Sequence, residues 1–166
     1  APGEATTVSI TGVVGTSAVG SVTASNISSA SVTLTGVAGT SAVGSVSFLS
    51  ITVYTVTVAS GTNSYGSGNK YYIAGLSGAS PTLTLSEGST YRLDQSDSSN
   101  SGHPLRFSTT ANGSHGGGSE YTTGVSHSGT PGSSGAYVQI TVAASAPTLY
   151  YYCTNHSGMG GTANTP

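Results

Sequence analysis

Positive charge is nearly missing from this chain. Lys70, Arg92 and Arg106 are all of it, against Glu4, Glu87, Asp94, Asp97 and Glu120. Binding to nucleic acid needs enough Lys and Arg to neutralise phosphates, so no nucleic-acid partner is expected. The same lack of a basic cluster argues against an anionic lipid surface. No apolar run approaches the ~18 residues that a membrane helix needs, and no membrane partner is expected. There is no tryptophan, and Cys153 is the single cysteine, which excludes an intrachain disulfide. A nucleophile elbow, a phosphate-cradling loop and a helix-borne metal motif are all missing. Glu120 and Asp94 make no evident acid/base pair, so an enzyme is not expected.

Soluble monomers usually rely on surface charge. The scarcity of charge here points to a surface covered by other subunits, either copies of this chain or other proteins. What the chain has instead is Ser, Thr and Gly, almost half of all residues. Such a composition can mean disorder, but disordered chains usually carry high net charge, and here it is -2. Val, Ile, Leu and Tyr alternate with Ser and Thr as in half-buried strands, and no sustained 3.6 period is present. The chain reads as all-β.

The first 49 residues contain a repeat. Residues 8–24 (VSITGVVGTSAVGSVTA) and 32–48 (VTLTGVAGTSAVGSVSF) are offset by 24 and agree at 12 of 17 positions. Each unit reads as a strand, a Gly-bearing turn and a second strand. Side chains this small bury little apolar area, which at ~25 cal/mol per Å² hardly offsets the entropy of ordering the backbone. The segment is expected to be an extended β arm that gains its burial by strand addition or stacking against another chain. A flexible Gly/Ser linker is the plainer reading. Two domains follow: an arm over 1–49 and a β domain over 50–166.

From Ile51 onward aromatics appear. Seven strands are expected, over Ile51–Val58, Lys70–Ala74, Thr82–Leu85, Thr90–Asp94, Leu105–Thr109, Ala136–Val142 and Thr148–Cys153. Gly- and Ser-rich loops separate them, as in a Greek-key β-sandwich. The stretch 111–135 is too long for an ordinary hairpin loop. In Thr148–Cys153 the period of two places Leu149, Tyr151 and Cys153 on one face.

Cys153, His156 and Met159 then fall within seven residues, "CTNHSGM", and His103 lies in a loop fifty residues upstream. Loops at one end of a sandwich can bring such residues together. The plainer alternative is a looped, hydrogen-bonded His103, a buried small Cys153 and a Met159 packed on Tyr151. His115 and His127, in the long polar loop, read as solvated.

The stretches "TLTLSEGSTYRLDQSDSSNSGHPLRFS" and "YVQITVAASAPTLYYYCTNHSGMGG" resemble the cupredoxin pattern, in which a loop His is followed by a Cys, His and Met on the final strand and loop. The resemblance covers residues 51–166. It implies a cupredoxin-type sandwich with one copper ion held by His103, Cys153, His156 and Met159. The His-x2-Met spacing is shorter than in the usual single-copper members, and Pro104 stands where Asn is common. Two imidazoles and a thiolate in a trigonal array with a weak axial thioether make a blue-copper site.

The whole chain, repeats included, also resembles structural proteins of marine tailed phages, cyanophages in particular. That likeness implies a capsid decoration or fibre on the virion surface, docking or oligomerising through its repeats. Other virion proteins or copies of itself would be its partners. Two other readings stand beside it. One is a secreted type 1 copper electron-transfer protein. The other is an adhesin whose Tyr-rich loops bind host glycans.

Overall fold

Alternating polar and apolar residues, divided by glycine turns, dictate strands rather than helices, and the computed structural model describes residues 50–166 accordingly. The chain divides between Ile51 and Thr52, and the second unit, Thr52–Pro166, holds nearly all of what is described. The repetitive arm over 1–49, with its expected strand pairing, lies outside the described residues.

Among the described residues there are nine strands: β1 (Ile51–Asn63), β2 (Gly66–Ile73), β3 (Leu83–Thr84), β4 (Thr90–Asp94), β5 (Leu105–Ser108), β6 (Val125–Ser128), β7 (Tyr137–Thr141), β8 (Leu149–Cys153) and β9 (Gly161–Asn164). They form a five-stranded sheet of order β2-β1-β4-β7-β6 and a four-stranded sheet of order β3-β9-β8-β5. The domain is an all-β sandwich. No described helix is long and apolar enough to cross a membrane.

The alternation read from the sequence maps onto burial. Val138 and Ile140 of β7 are buried while Thr141 is exposed, and Leu105 and Phe107 of β5 are buried around half-exposed Arg106. Both sheets send residues to one core that includes Val56, Tyr71, Leu93, Phe107, Ile140, Leu149, Tyr151, Cys153 and Met159. Tyr152 is buried as well, although it points away from that core. The 3-10 turn Gly113–Gly116 covers it, so closely that a Cβ on Gly113 would collide with the Tyr152 ring.

Three strand features depart from the sequence reading. β1 runs on to Asn63, because Ala59–Asn63 pairs with Gly66–Lys70 across the two-residue turn Ser64–Tyr65. Asn63 caps that turn by accepting the Tyr65 backbone N–H at 2.9 Å. The long stretch 111–135 holds β6, which pairs with β7, and β9 follows the final loop. Neither VSHS nor GTAN carries an apolar alternation. Each forms because a neighbouring strand offers it an open edge, which is a long-range cause with no local mark.

Candidate metal centre

Register brings the upstream histidine to the cysteine. β5 and β8 pair antiparallel with Leu105 opposite Cys153. His103 precedes Leu105 by two residues, so it arrives where β8 ends. The pairing continues past the strands: Thr154 N–H donates to the Pro104 carbonyl at 3.1 Å, and Asn155 Nδ2 donates to the Gly102 carbonyl at 2.9 Å. The chain then turns, which returns His156 to the sulfur.

The Cys153 Sγ lies 3.9 Å from His103 Nδ1 and 3.7 Å from His156 Nδ1. The two imidazole centroids are 4.6 Å apart, and the three ligand atoms all fall within 4.8 Å of one another. These separations can be tested against a metal. Bonds of about 2.3 Å to sulfur and about 2.0 Å to nitrogen, opened at 120°, give a sulfur–nitrogen edge of ~3.7 Å; tetrahedral angles give ~3.5 Å. The observed edges, 3.7 and 3.9 Å, lie within a few tenths of an ångström of both values, so the donor set fits a single ion without selecting its geometry.

Cys153 is fully buried, His103 is buried and His156 is exposed. Burial, and then the neighbouring His156, hold the His103 imidazole below its usual pKa. Both effects favour the neutral ring, the form that ligates metal. Met159 is buried in the same core cluster as Cys153. Its carbonyl accepts Tyr71 N–H at 3.1 Å and Ser80 Oγ–H at 2.8 Å.

The backbone around these side chains is held by groups that periodicity does not mark. The His103 carbonyl accepts the Tyr71 hydroxyl and Gln95 Nε2, each at 2.9 Å. Gln95 Oε1 accepts the Leu105 N–H at 3.1 Å, and Gln95 Nε2 also reaches Asn100 Oδ1 at 3.2 Å. Asn100 Nδ2 in turn donates to the Val56 carbonyl at 2.8 Å, tying the His103 loop to β1. Burial, with Cys153 beside it, raises Tyr71 well above the ordinary phenol pKa, so its hydroxyl stays a donor.

The downstream loop is pinned from three sides. The Gly158 carbonyl accepts Lys70 Nζ at 2.8 Å and Asn63 Nδ2 at 2.9 Å. The Gly158 N–H donates to Asn112 Oδ1 at 2.8 Å, and Asn112 Nδ2 reaches Ser157 Oγ at 2.9 Å. His115 is exposed and outside the ligand cluster, as read from the sequence, and its Nε2–H also donates to the Cys153 carbonyl at 3.0 Å. His127 lies on β6 with its Nε2 3.2 Å from Glu120 Oε1, away from the three-residue cluster. Lone Asn, Gln and Lys residues among so many polar neighbours gave no local signal of these roles. Only the scarcity of long polar side chains hinted that each has a task.

Preorganisation of this kind has a measurable consequence. His115→Ala removes the bond to the Cys153 carbonyl without touching a ligand atom. It is expected to weaken metal affinity about tenfold, the lower end for an outer partner of a ligand. Chelator competition checks this; an unchanged affinity would show that β8 alone fixes the cysteine.

No family model, curated protein or solved structure matches this chain.

Proposed function

We propose that residues 51–166 are a cupredoxin-like module that takes one copper ion, and that the whole chain is a structural component of a virion surface, a capsid decoration or fibre, assembling through its N-terminal repeats. The observation that carries the metal half is the convergence of His103, Cys153 and His156, with sulfur–nitrogen separations of 3.9 and 3.7 Å. A soft thiolate with two imidazoles is a donor set that would suit copper. Bound copper would supply one-electron chemistry. The protein's part is to keep His103 neutral, exclude water from Cys153 and hold both loops in place before the ion arrives. Met159, buried in the same core cluster as Cys153, would be the further residue offering sulfur to the ion. The assembly half is supported by the low charge, the 24-residue repeat and the phage resemblance.

A second reading, electron transfer, is favoured by one observation. His156 is exposed while its partners are buried, so an electron has a ring edge at the surface to cross. Against it stands the lack of a charged docking patch, since Arg92 and Arg106 are both engaged by their own neighbours.

Absorption spectroscopy of the full chain during copper(II) addition tests the metal half. An intense visible thiolate-to-copper band, saturating at one equivalent and missing in Cys153→Ser, is expected. Tight but colourless zinc binding would move the ion to zinc, and no binding of either metal would leave the site a structural relic. Sedimentation of the same sample tests assembly, and a monomer would count against the virion reading.

A further inference from the structure

Beside the pinned loop, and distinct from the ligand cluster, lies a cleft of about 260 Å³. It opens between the β1–β2 turn, the Ser80–Thr82 segment, Asn112, and the outer side of β8 and β9. Among the described residues its lining contains no charged side chain. The one cation nearby, Lys70, is buried and its Nζ donates to the Gly158 carbonyl at 2.8 Å. A phosphate, carboxylate or ammonium group would find no counter-charge there, so an ionic ligand is disfavoured.

What the cleft offers is a mixture of tyrosine side chains and hydroxyl-bearing residues. Tyr65 and Tyr150 both line it. Tyr65 stands on the two-residue turn and is 48% exposed, one of few large apolar groups left outside the core. Ser64, Thr82 and Thr162 add hydroxyls, each able to donate and accept. Two glycines, Gly160 and Gly161, leave the floor bare. Packing forces this: a Cβ on Gly160 would collide with the Tyr151 carbonyl, and one on Gly161 would sit 2.5 Å from the Ser80 carbonyl.

The walls are already fixed. Asn63 spends its amide on Ser80 Oγ at 2.9 Å and on the Gly158 and Gly160 carbonyls. Asn112 is held by Gly158 N–H and Ser157 Oγ. A ligand therefore meets a preformed cleft and need not order it, which lowers the cost of binding. The volume falls just under the ~300 Å³ where drug-sized pockets begin, so it suits a single small ring rather than a chain.

We infer that this cleft is a binding site for a neutral saccharide, taking one sugar ring. A sugar presents apolar C–H faces and a rim of uncharged hydroxyls. Tyrosine rings match the first, since they bring amphipathic area at low entropy cost. The Ser and Thr hydroxyls match the second. The site does not depend on the metal reading, because none of its lining residues is a proposed ligand.

Saturation-transfer NMR on the metal-free full chain is the test, with the methyl glycosides of glucose, galactose, mannose, fucose and N-acetylglucosamine as probes and glucuronic acid as the charged control. At least one neutral glycoside should bind saturably with a dissociation constant on the order of 1 mM. Tyr65→Ala should weaken that binding about tenfold, or about 1.4 kcal/mol. Thr82→Val should weaken it severalfold, and both variants should keep the parent melting temperature, since both side chains are exposed. Three outcomes overturn the site: no saturable transfer from any neutral glycoside, glucuronic acid bound as tightly, or binding unchanged in both variants.

Discussion

Copper loading is expected to raise the melting temperature of this protein by roughly 15 °C, and Cys153→Ser to remove all of that rise. An ion that binds only the folded chain adds RT ln(1 + [L]/Kd), about 4 kcal/mol at a thousandfold excess over Kd. For a domain near this size, one kcal/mol moves the midpoint by about 4 °C. The thiol is also fully buried, so exchanging it for a hydroxyl costs something in the metal-free protein too, about 1–3 kcal/mol for an unpaired polar group. The two contributions separate by comparing scans with and without metal. A ligand role makes the loss much larger in the loaded protein. Equal losses in both forms would reduce Cys153 to a packing residue.

Gln95→Leu is the second large effect. Gln95 is 1% exposed and joins three neighbours: it accepts Leu105 N–H at 3.1 Å and donates to the His103 carbonyl and Asn100 Oδ1. Leucine keeps the bulk but strands the Leu105 N–H and Asn100 Oδ1. At about 1–3 kcal/mol for each buried orphan, the change should cost about 3 kcal/mol and lower the midpoint by roughly 12 °C. His103 loses one of its two carbonyl anchors, so metal affinity should fall as well. Gln139→Leu is the contrast, since Gln139 bonds Arg92 on a half-exposed face and should shift stability by no more than ~0.5 kcal/mol. If the two variants melt together, the buried amide is not what holds the His103 loop.

β4, β5 and β7 were legible because each carries its own alternation, as in Tyr137–Thr141, where Val138 and Ile140 turn inward, and β8 because of its run of aromatic and apolar residues. Four to five residues suffice to express a period of two. The Cys-x2-His spacing was legible for a similar reason: one strand end and one turn separate the two side chains. Gln95 was not, because its value lies in facing the Leu105 N–H ten residues away, and an amide in a Ser-rich stretch carries no sign of that. The bond of exposed His115 to β8 was hidden for the same reason. Its neighbours in "GSHGGGSE" are polar, while its partner carbonyl belongs to β8.

Taken alone, the sequence determined the all-β class, the near-absence of charge, the donor types and the local Cys153–His156 pair. These follow from composition and from periods that a few residues display. Whether His103 joins them was decided by the tertiary structure. That depends on Leu105 standing opposite Cys153, a register between strands some fifty residues apart. A slip of one residue would send every β5 side chain to the other face and carry His103 away from the sulfur. The burial of Leu105 and Phe107 opposes that slip, because it would move both into water. Packing of the hydrophobic core thus places the candidate ligand.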